Sequence, residues 1–157
     1  MAGTDREGER SSADGLVARA RAAMEAAYAP YSRFRVGAAL ESEDGRVFAG
    51  CNVENSSYPV GMCAERVALG HAVASGARRF SRIAIASSGE RPATPCGMCR
   101  QALSEFGPDI VVIAVAGAGG RAEWTVAELL PAAFRLEDAP PAASGPATPR
   151  GAVEVGE

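Results

Sequence analysis

Two short cysteine motifs constrain the fold more than any other feature of the sequence. Cys63 stands in Cys-Ala-Glu, and Cys96 and Cys99 stand much later in Pro-Cys-Gly-Met-Cys. In a chain without a recognisable secretion signal, cysteines grouped in this way are typical of metal ligands rather than of disulfides. Because three thiolates suit a tetrahedral zinc ion, the fold is predicted to bring the two motifs to one point.

The number of ligands indicates the kind of zinc site. Three protein ligands leave one position for water, which zinc can acidify to a nucleophile, whereas four ligands make a closed structural site. Cys51 could complete such a structural site, but it lies in a predicted strand, and a closed site gives no role to Glu65 beside Cys63. His71 lies about 12 Å further along the same predicted helix, too far to share the ion. The sequence therefore favours a catalytic zinc site.

The local sequence also predicts how the ligands are supported. Both motifs are expected to open a helix, where free backbone N–H groups and the helix dipole stabilise thiolates. Glu65, in the first turn, can reach a metal-bound water without binding the metal itself. Three thiolates around a dication leave a net negative charge. Arg66 is predicted to offset this charge by donating hydrogen bonds to the sulfurs.

Hydrophobic periodicity and turn residues predict an α/β fold. The turn Glu43-Asp44-Gly45 indicates a β-hairpin, and Gly76 is placed to end a helix. The element order implies a mixed sheet with helices packed on its faces. The predicted helices cover 16–28, 63–75, 100–106 and 126–130, and the predicted strands cover 35–41, 46–53, 82–87, 110–115 and 121–125.

Composition limits the domain organisation and the classes of partner. With 157 residues, the chain has room for one domain, predicted over 14–136 between a flexible N-terminal tail (1–13) and a disordered C-terminal tail (137–157). No apolar run is long enough to span a membrane, and no signal peptide is evident, so a cytoplasmic protein is expected. The absence of a strong basic patch argues against nucleic acid and favours a small neutral substrate.

The motifs together resemble those of a known family. Residues 63–66 read CAER and residues 95–101 read PCGMCRQ; further matches are 29–39 (APYSRFRVGAA), 52–55 (NVEN) and 129–131 (LLP). Over residues 15–136 the chain resembles the small zinc-dependent cytidine deaminases. The resemblance implies a three-layer αβα fold with a mixed five-stranded sheet, one Zn²⁺ per subunit and a homotetramer. It also implies hydrolytic deamination of free cytidine and deoxycytidine, a reaction of pyrimidine salvage.

The resemblance further implies roles for individual residues. Glu65 would take a proton from water, pass it to N3 of the base and later protonate the departing amine. The expected substrate contacts are Phe34 on the pyrimidine, Asn52 and Glu54 on the ribose hydroxyls, Ala64 beside the base, and Phe134 in a neighbouring subunit's pocket. Without the resemblance, Phe34 and Phe134 would be assigned to the core, and Glu54 would be equally consistent with an ordinary surface charge.

One loop departs from the usual family pattern. Residues 59–62 read PVGM, where many members carry a glycine, an aliphatic residue and a hydroxyl-bearing residue. This difference admits a second substrate class, a cytosine-containing antibiotic nucleoside such as blasticidin S. Members that act on tRNA adenosine usually have His at the position of Cys63, and a scaffold without catalysis would be expected to lose Glu65. Both of these readings are therefore disfavoured.

Overall fold

The computed structural model describes residues 11–136, so the predicted C-terminal tail and residues 1–10 lie outside the described part of the chain. The helices are α1 (Ala13–Glu25), α2 (Ala64–Ala74), α3 (Gly97–Ser104) and α4 (Val126–Leu129), with a 3₁₀ turn at Tyr58–Val60. The strands are β1 (Val36–Ser42), β2 (Val47–Cys51), β3 (Phe80–Ser87), β4 (Val111–Ala116) and β5 (Arg121–Thr125). Every predicted element is present.

The strands form one mixed sheet in the order β2-β1-β3-β4-β5. The pairs β1–β2, β1–β3 and β4–β5 are antiparallel, whereas β3 and β4 are parallel and are connected through α3. A parallel pair requires such a crossover, because a tight turn cannot return the chain to the same end of the sheet. The predicted mixed five-stranded sheet is confirmed.

Both faces of the sheet are buried under helices. In β3, Ile83 and Ile85 face the core shared with α2 and α3, whereas Ala84 and Ala86 face the core shared with α1. This alternation explains why the central strands read as continuous apolar runs, since each side chain meets a helix on one face or the other. The arrangement is the predicted three-layer αβα fold.

Two helices have ends that differ from the predicted positions. Helix α1 ends at Glu25 rather than at Tyr28, because the Tyr28 amide donates to the carbonyl of Asn52 at 3.0 Å. The helical composition of the intervening alanines is therefore overridden by pairing with the end of β2. Helix α3 begins at Gly97, three residues before the predicted start, so that Cys96 is its N-cap residue.

Helix α2 lies directly on a glycine of β2. A Cβ atom at Gly50 would stand 2.4 Å from the backbone nitrogen of Ala68 and 2.8 Å from the carbonyl oxygen of Ala64. Only a residue without a side chain permits this approach of helix to strand. Gly50 therefore fixes the height of α2 above the sheet.

A buried ion pair between β1 and β3 holds the start of the described chain to the sheet. The Glu41 carboxylate is fully buried and accepts hydrogen bonds from Nε (2.8 Å) and Nη2 (2.6 Å) of Arg82 and from the Ser11 amide (3.0 Å). The Arg82 guanidinium also donates to the Ser11 carbonyl at 2.6 Å.

Within residues 11–136, no helix has the length and apolar character needed to cross a membrane.

Candidate active site

The carboxyl ends of β2 and β3 lie at the same edge of the sheet. In the strand register, Cys51 pairs with Gly37 of β1, which in turn pairs with Ala86 near the end of β3. Helix α2 begins beyond β2 with Cys63 as its N-cap residue, and α3 begins beyond β3 with Cys96 as its N-cap residue. The topology therefore brings two helix N-termini to one edge, as the thiolate argument requires.

Cys63, Cys96 and Cys99 form a compact cluster between these helix ends. The three sulfur atoms lie within 4.8 Å of one another, and those of Cys63 and Cys96 are 3.7 Å apart. This spacing fits one tetrahedral zinc ion bound by three thiolates. Among the described residues, no further histidine, cysteine or carboxylate belongs to the group.

The two alternative ligands considered from the sequence lie elsewhere. The Cys51 sulfur is 3.5 Å from the carbonyl oxygen of Ala26 and is not part of the cluster, so a four-cysteine site is excluded. The His71 ring packs edge-on against Phe48 with its centroid 5.4 Å away, and its Nδ1 is 3.2 Å from the carbonyl oxygen of Ala49. His71 therefore packs against β2 and does not belong to the cluster.

The cluster thiols differ in their affinity for protons. A hydrogen bond from Cys99, aided by Cys96 and Arg66, lowers the pKa of Cys63 to about 5. The same hydrogen bond, together with burial, raises the pKa of Cys99. The protein alone therefore stabilises a thiolate at Cys63 and keeps a proton on Cys99. A dication would displace that proton on binding.

Glu65 and Arg66 flank the sulfur cluster from the first turn of α2. The Glu65 side chain is only 5% exposed, and its pKa is raised by burial and by the charge at Cys63. Burial alone would lower the pKa of Arg66, but the neighbouring Cys63 and Cys99 raise it. Arg66 also donates to the carbonyl of Gly61 at 3.0 Å, which ties α2 to the preceding loop.

A cavity of about 600 Å³ opens beside the cluster. This volume is within the range of small-molecule binding sites. Most of the predicted substrate contacts lie on its walls, together with two of the cysteines. The lining includes Phe34, Asn52, Glu54, Cys63, Ala64, Glu65, Arg66 and Cys96.

Asn52 and Glu54 hold the loop that carries Phe34. The Asn52 side chain accepts from the Val36 amide at 2.8 Å and donates to the Phe34 carbonyl at 2.9 Å. The Glu54 carboxylate accepts from the amide of Tyr31 at 2.8 Å and from the amide and hydroxyl of Ser32. The Ser32 hydroxyl, aided by the two amides, lowers the pKa of Glu54. Glu54 is therefore held as a carboxylate at the cavity wall.

Phe134 does not line the cavity of its own chain. Its side chain is 64% exposed, and its carbonyl accepts a hydrogen bond from Gln101 of α3 at 2.9 Å. It borders a second, separate cavity with Ser104 to Pro108. Phe34 is also partly exposed, so neither phenylalanine is the core residue that hydrophobicity alone suggests.

Several cavity residues were not singled out from the sequence. Tyr31 is more than half exposed and lies on the cavity wall with Ser32. Met62 and Met98 lie on the wall as well. The signal for Ser32 was its position two residues before Phe34 in the PYSRF stretch. The methionines gave no signal apart from standing next to ligand cysteines.

Comparison with known proteins places this geometry in a family. Residues 10–115 match the family model described as the cytidine and deoxycytidylate deaminase zinc-binding region. The chain is 47% identical to the cytidine deaminase of Sporosarcina psychrophila over 124 residues, which cover 78% of this chain and 91% of that protein. The crystal structure of cytidine deaminase from Burkholderia pseudomallei superimposes with a TM-score of 0.76 at 47% identity, covering 78% of this chain and 99% of that chain.

A relative of the second substrate class is more distant. The blasticidin-S deaminase of Bacillus cereus is 32% identical over 108 residues, which cover 64% of this chain and 76% of that protein. The chain belongs to the zinc-dependent cytidine deaminase family.

Proposed function

We propose that this protein hydrolyses free cytidine and deoxycytidine to the corresponding uridines and ammonia. The observation that carries the proposal is the buried Glu65 beside three clustered cysteine sulfurs, at the wall of a nucleoside-sized cavity. A buried acid next to a three-ligand zinc site is the arrangement that hydrolytic deamination of a cytosine ring requires.

The sulfur cluster fits one zinc ion per subunit. Cys63, Cys96 and Cys99 would hold it, since their sulfur atoms already lie within 4.8 Å of one another. Zinc bound there supplies the acidification of water that makes it a nucleophile near neutral pH. Arg66, whose charge interacts with Cys63 and Cys99, offsets the negative charge that three thiolates bring to the site.

Glu65 is suited to carrying protons during the reaction. Burial raises the pKa of this carboxyl group. A pKa closer to the operating pH lets the group both accept and release a proton during one turnover. We assign it the removal of a proton from water, the delivery of that proton to N3 of the base, and later the protonation of the departing amine. General acid–base catalysis of this kind contributes roughly 10²–10⁴-fold to the rate.

The cavity walls provide separate contacts for base and sugar. Phe34 would pack on the pyrimidine, with the backbone of the buried Ala64 beside the base. Asn52 and Glu54 would bind the ribose hydroxyl groups. Each keeps hydrogen-bonding capacity beyond its loop contacts, since an amide oxygen has two lone pairs and a carboxylate has about four acceptor sites.

A homotetramer would complete the cavity. Tyr58 is 82% exposed at the cavity mouth, and Val60 and Met62 beside it are also exposed, which is typical of a surface covered by another subunit. Phe134, exposed and outside its own cavity, would enter the cavity of a neighbouring subunit. Light scattering should give four subunits, and Phe134→Ala should raise KM.

We place the reaction in pyrimidine salvage in the cytoplasm, because its substrate is a free nucleoside.

Substitution of Glu65 tests the proposal directly. In Glu65→Gln, turnover of cytidine should fall by about 10²–10⁴-fold while one zinc per subunit is retained, because the amide cannot shuttle a proton. Glu90→Gln is the matched control, since Glu90 is exposed and does not line the cavity. Retained activity in Glu65→Gln would reject the assigned role.

A substrate comparison tests the choice of nucleoside. Loss of the cytosine chromophore is followed with cytidine, deoxycytidine and blasticidin S at equal concentration. Higher kcat/KM for the first two supports the proposal. Selective turnover of blasticidin S would show instead that the 59–62 loop has shifted the substrate to an antibiotic nucleoside.

A further inference from the structure

The Ser32 hydroxyl joins the two walls of the cavity. It donates a hydrogen bond to Oε1 of Glu54 and accepts one from the Phe34 amide at 3.0 Å. Glu54 stands on the side proposed to bind the sugar, and Phe34 on the side proposed to bind the base. One small side chain therefore links two residues that contact different parts of the substrate.

The loop that contains Ser32 needs this support. Arg33, between Ser32 and Phe34, has a φ of 58°, a left-handed conformation that costs a side-chain-bearing residue free energy. Such a conformation persists only where surrounding contacts fix it. The fixing contacts are the hydrogen bonds of Glu54 to Tyr31 and Ser32 on one side and the amide of Arg33 to the carbonyl of Ala29 on the other.

Both backbone polar groups of Phe34 depend on residues of the sugar side. Its N–H donates to Ser32, which is bound to Glu54, and its carbonyl accepts from Asn52. The backbone that carries the aromatic ring is thus held directly by Asn52 and, through Ser32, by Glu54. A change in one wall should be transmitted to the other.

We propose that Ser32 is a positioning residue that sets Phe34 and Glu54 as one unit, so that recognition of the base depends on the sugar-binding residues. The inference rests on the proposed function, because it assigns Phe34 to the base and Glu54 to the ribose. It adds that the contribution of Ser32 to substrate binding extends to nucleosides that offer no hydroxyl group to Glu54.

Kinetics with two nucleosides test this coupling. The substrates are cytidine and 2′,3′-dideoxycytidine, which lacks both hydroxyl groups proposed to meet Asn52 and Glu54. In Ser32→Ala, KM should rise about tenfold for both substrates while kcat changes less than about threefold, because a hydrogen bond to a charged group is lost away from the reacting atoms. Ser32→Thr, which keeps the hydroxyl, should restore KM.

The controls separate positioning from general damage to the loop. Ser88→Ala removes another hydroxyl that accepts from this loop, at the Arg35 amide (3.0 Å), but Ser88 touches neither Glu54 nor the cavity. It should leave both KM values unchanged. A rise in KM for cytidine alone in Ser32→Ala, or no rise with either substrate, would overturn the coupling. Absence of cytidine turnover in the wild-type protein would contradict the proposed function instead.

Amide hydrogen exchange tests the positioning without any substrate. In Ser32→Ala the Phe34 amide should exchange at least about tenfold faster than in the wild type, because its acceptor is gone. In Ser88→Ala the Arg35 amide should exchange faster and the Phe34 amide should not. Unchanged exchange of the Phe34 amide in Ser32→Ala would refute the positioning role, whatever the activity of the protein.

Discussion

Replacing Gly50 by alanine should damage the zinc site without touching a ligand. The new Cβ atom would stand 2.4 Å from the backbone nitrogen of Ala68 in α2. Relief of this clash to an ordinary contact requires a movement of about 1 Å between helix and strand. Because α2 begins at the N-cap residue Cys63, that movement carries one ligand away from the other two.

The magnitude follows from the tolerance of a metal site. Ligand distances hold to within about 0.2 Å, so a shift of the helix by several times that amount strains the site or the fold. Overpacking of this kind costs about 1–3 kcal/mol. We therefore expect Gly50→Ala to lower the free energy of unfolding by this amount and to weaken zinc binding by roughly 10–100-fold.

Gly70→Ala, in helix α2 itself, is the matched glycine-to-alanine control. A Cβ atom at Gly70 would meet nothing within 4 Å. The substitution should therefore stabilise α2 by about 0.5–1 kcal/mol and leave zinc affinity unchanged. Zinc affinity is measured by competition with a chelator, and stability by denaturant unfolding. Equal affinity and equal stability of Gly50→Ala and wild type would refute the argument that backbone contact sets the height of α2.

Three further predictions concern the Glu41–Arg82 ion pair, Cys51 and the protonation of Cys99. Arg82→Ala leaves the buried Glu41 carboxylate without its ion-pair partner and should lower the free energy of unfolding by about 3 kcal/mol in denaturant unfolding. The double variant Glu41→Gln/Arg82→Met should recover most of that loss. Full stability of the single variant would contradict this prediction. Cys51→Ser should retain one zinc per subunit by metal analysis, because Cys51 lies outside the cluster; loss of zinc would revive a four-cysteine site. Zinc binding at pH 7 should release protons into weakly buffered solution, because Cys99 has a raised pKa and must lose its proton to bind. For the same reason, zinc affinity should fall as the pH is lowered. An affinity independent of pH between 8 and 6 would contradict the assignment of a proton to Cys99.

The sequence predicts the residues of the metal centre more completely than those of the cavity around it. Cys63, Cys96 and Cys99 were predictable because zinc demands particular ligand atoms, and soft ligands at such spacings have few other uses. Glu65 followed from its place in the same motif. Cys51 and His71 could be set aside on strand placement and helix rise, and the structure confirms that both lie outside the cluster.

The loop contacts could not be read in the same way. Glu54 receives its hydrogen bonds from Tyr31 and Ser32, which lie more than twenty residues earlier and carry no periodic signal that places them opposite a strand end. The early end of α1 has the same cause, because the Tyr28 amide is captured by the distant Asn52 carbonyl. Local propensity describes neither event, since both depend on how separate segments pack.

The placement of the cysteines at two helix starts has a consequence for the order of assembly. The β1–β2 hairpin joins neighbouring residues, whereas the pairing of β3 with β1, across the intervening helix α2, is what places Cys96 beside Cys63 in the folded chain. Closing that long segment costs chain entropy before any contact offsets it, so this step is slow compared with hairpin formation. Capture of the ion during refolding would therefore mark the moment at which β3 enters the sheet.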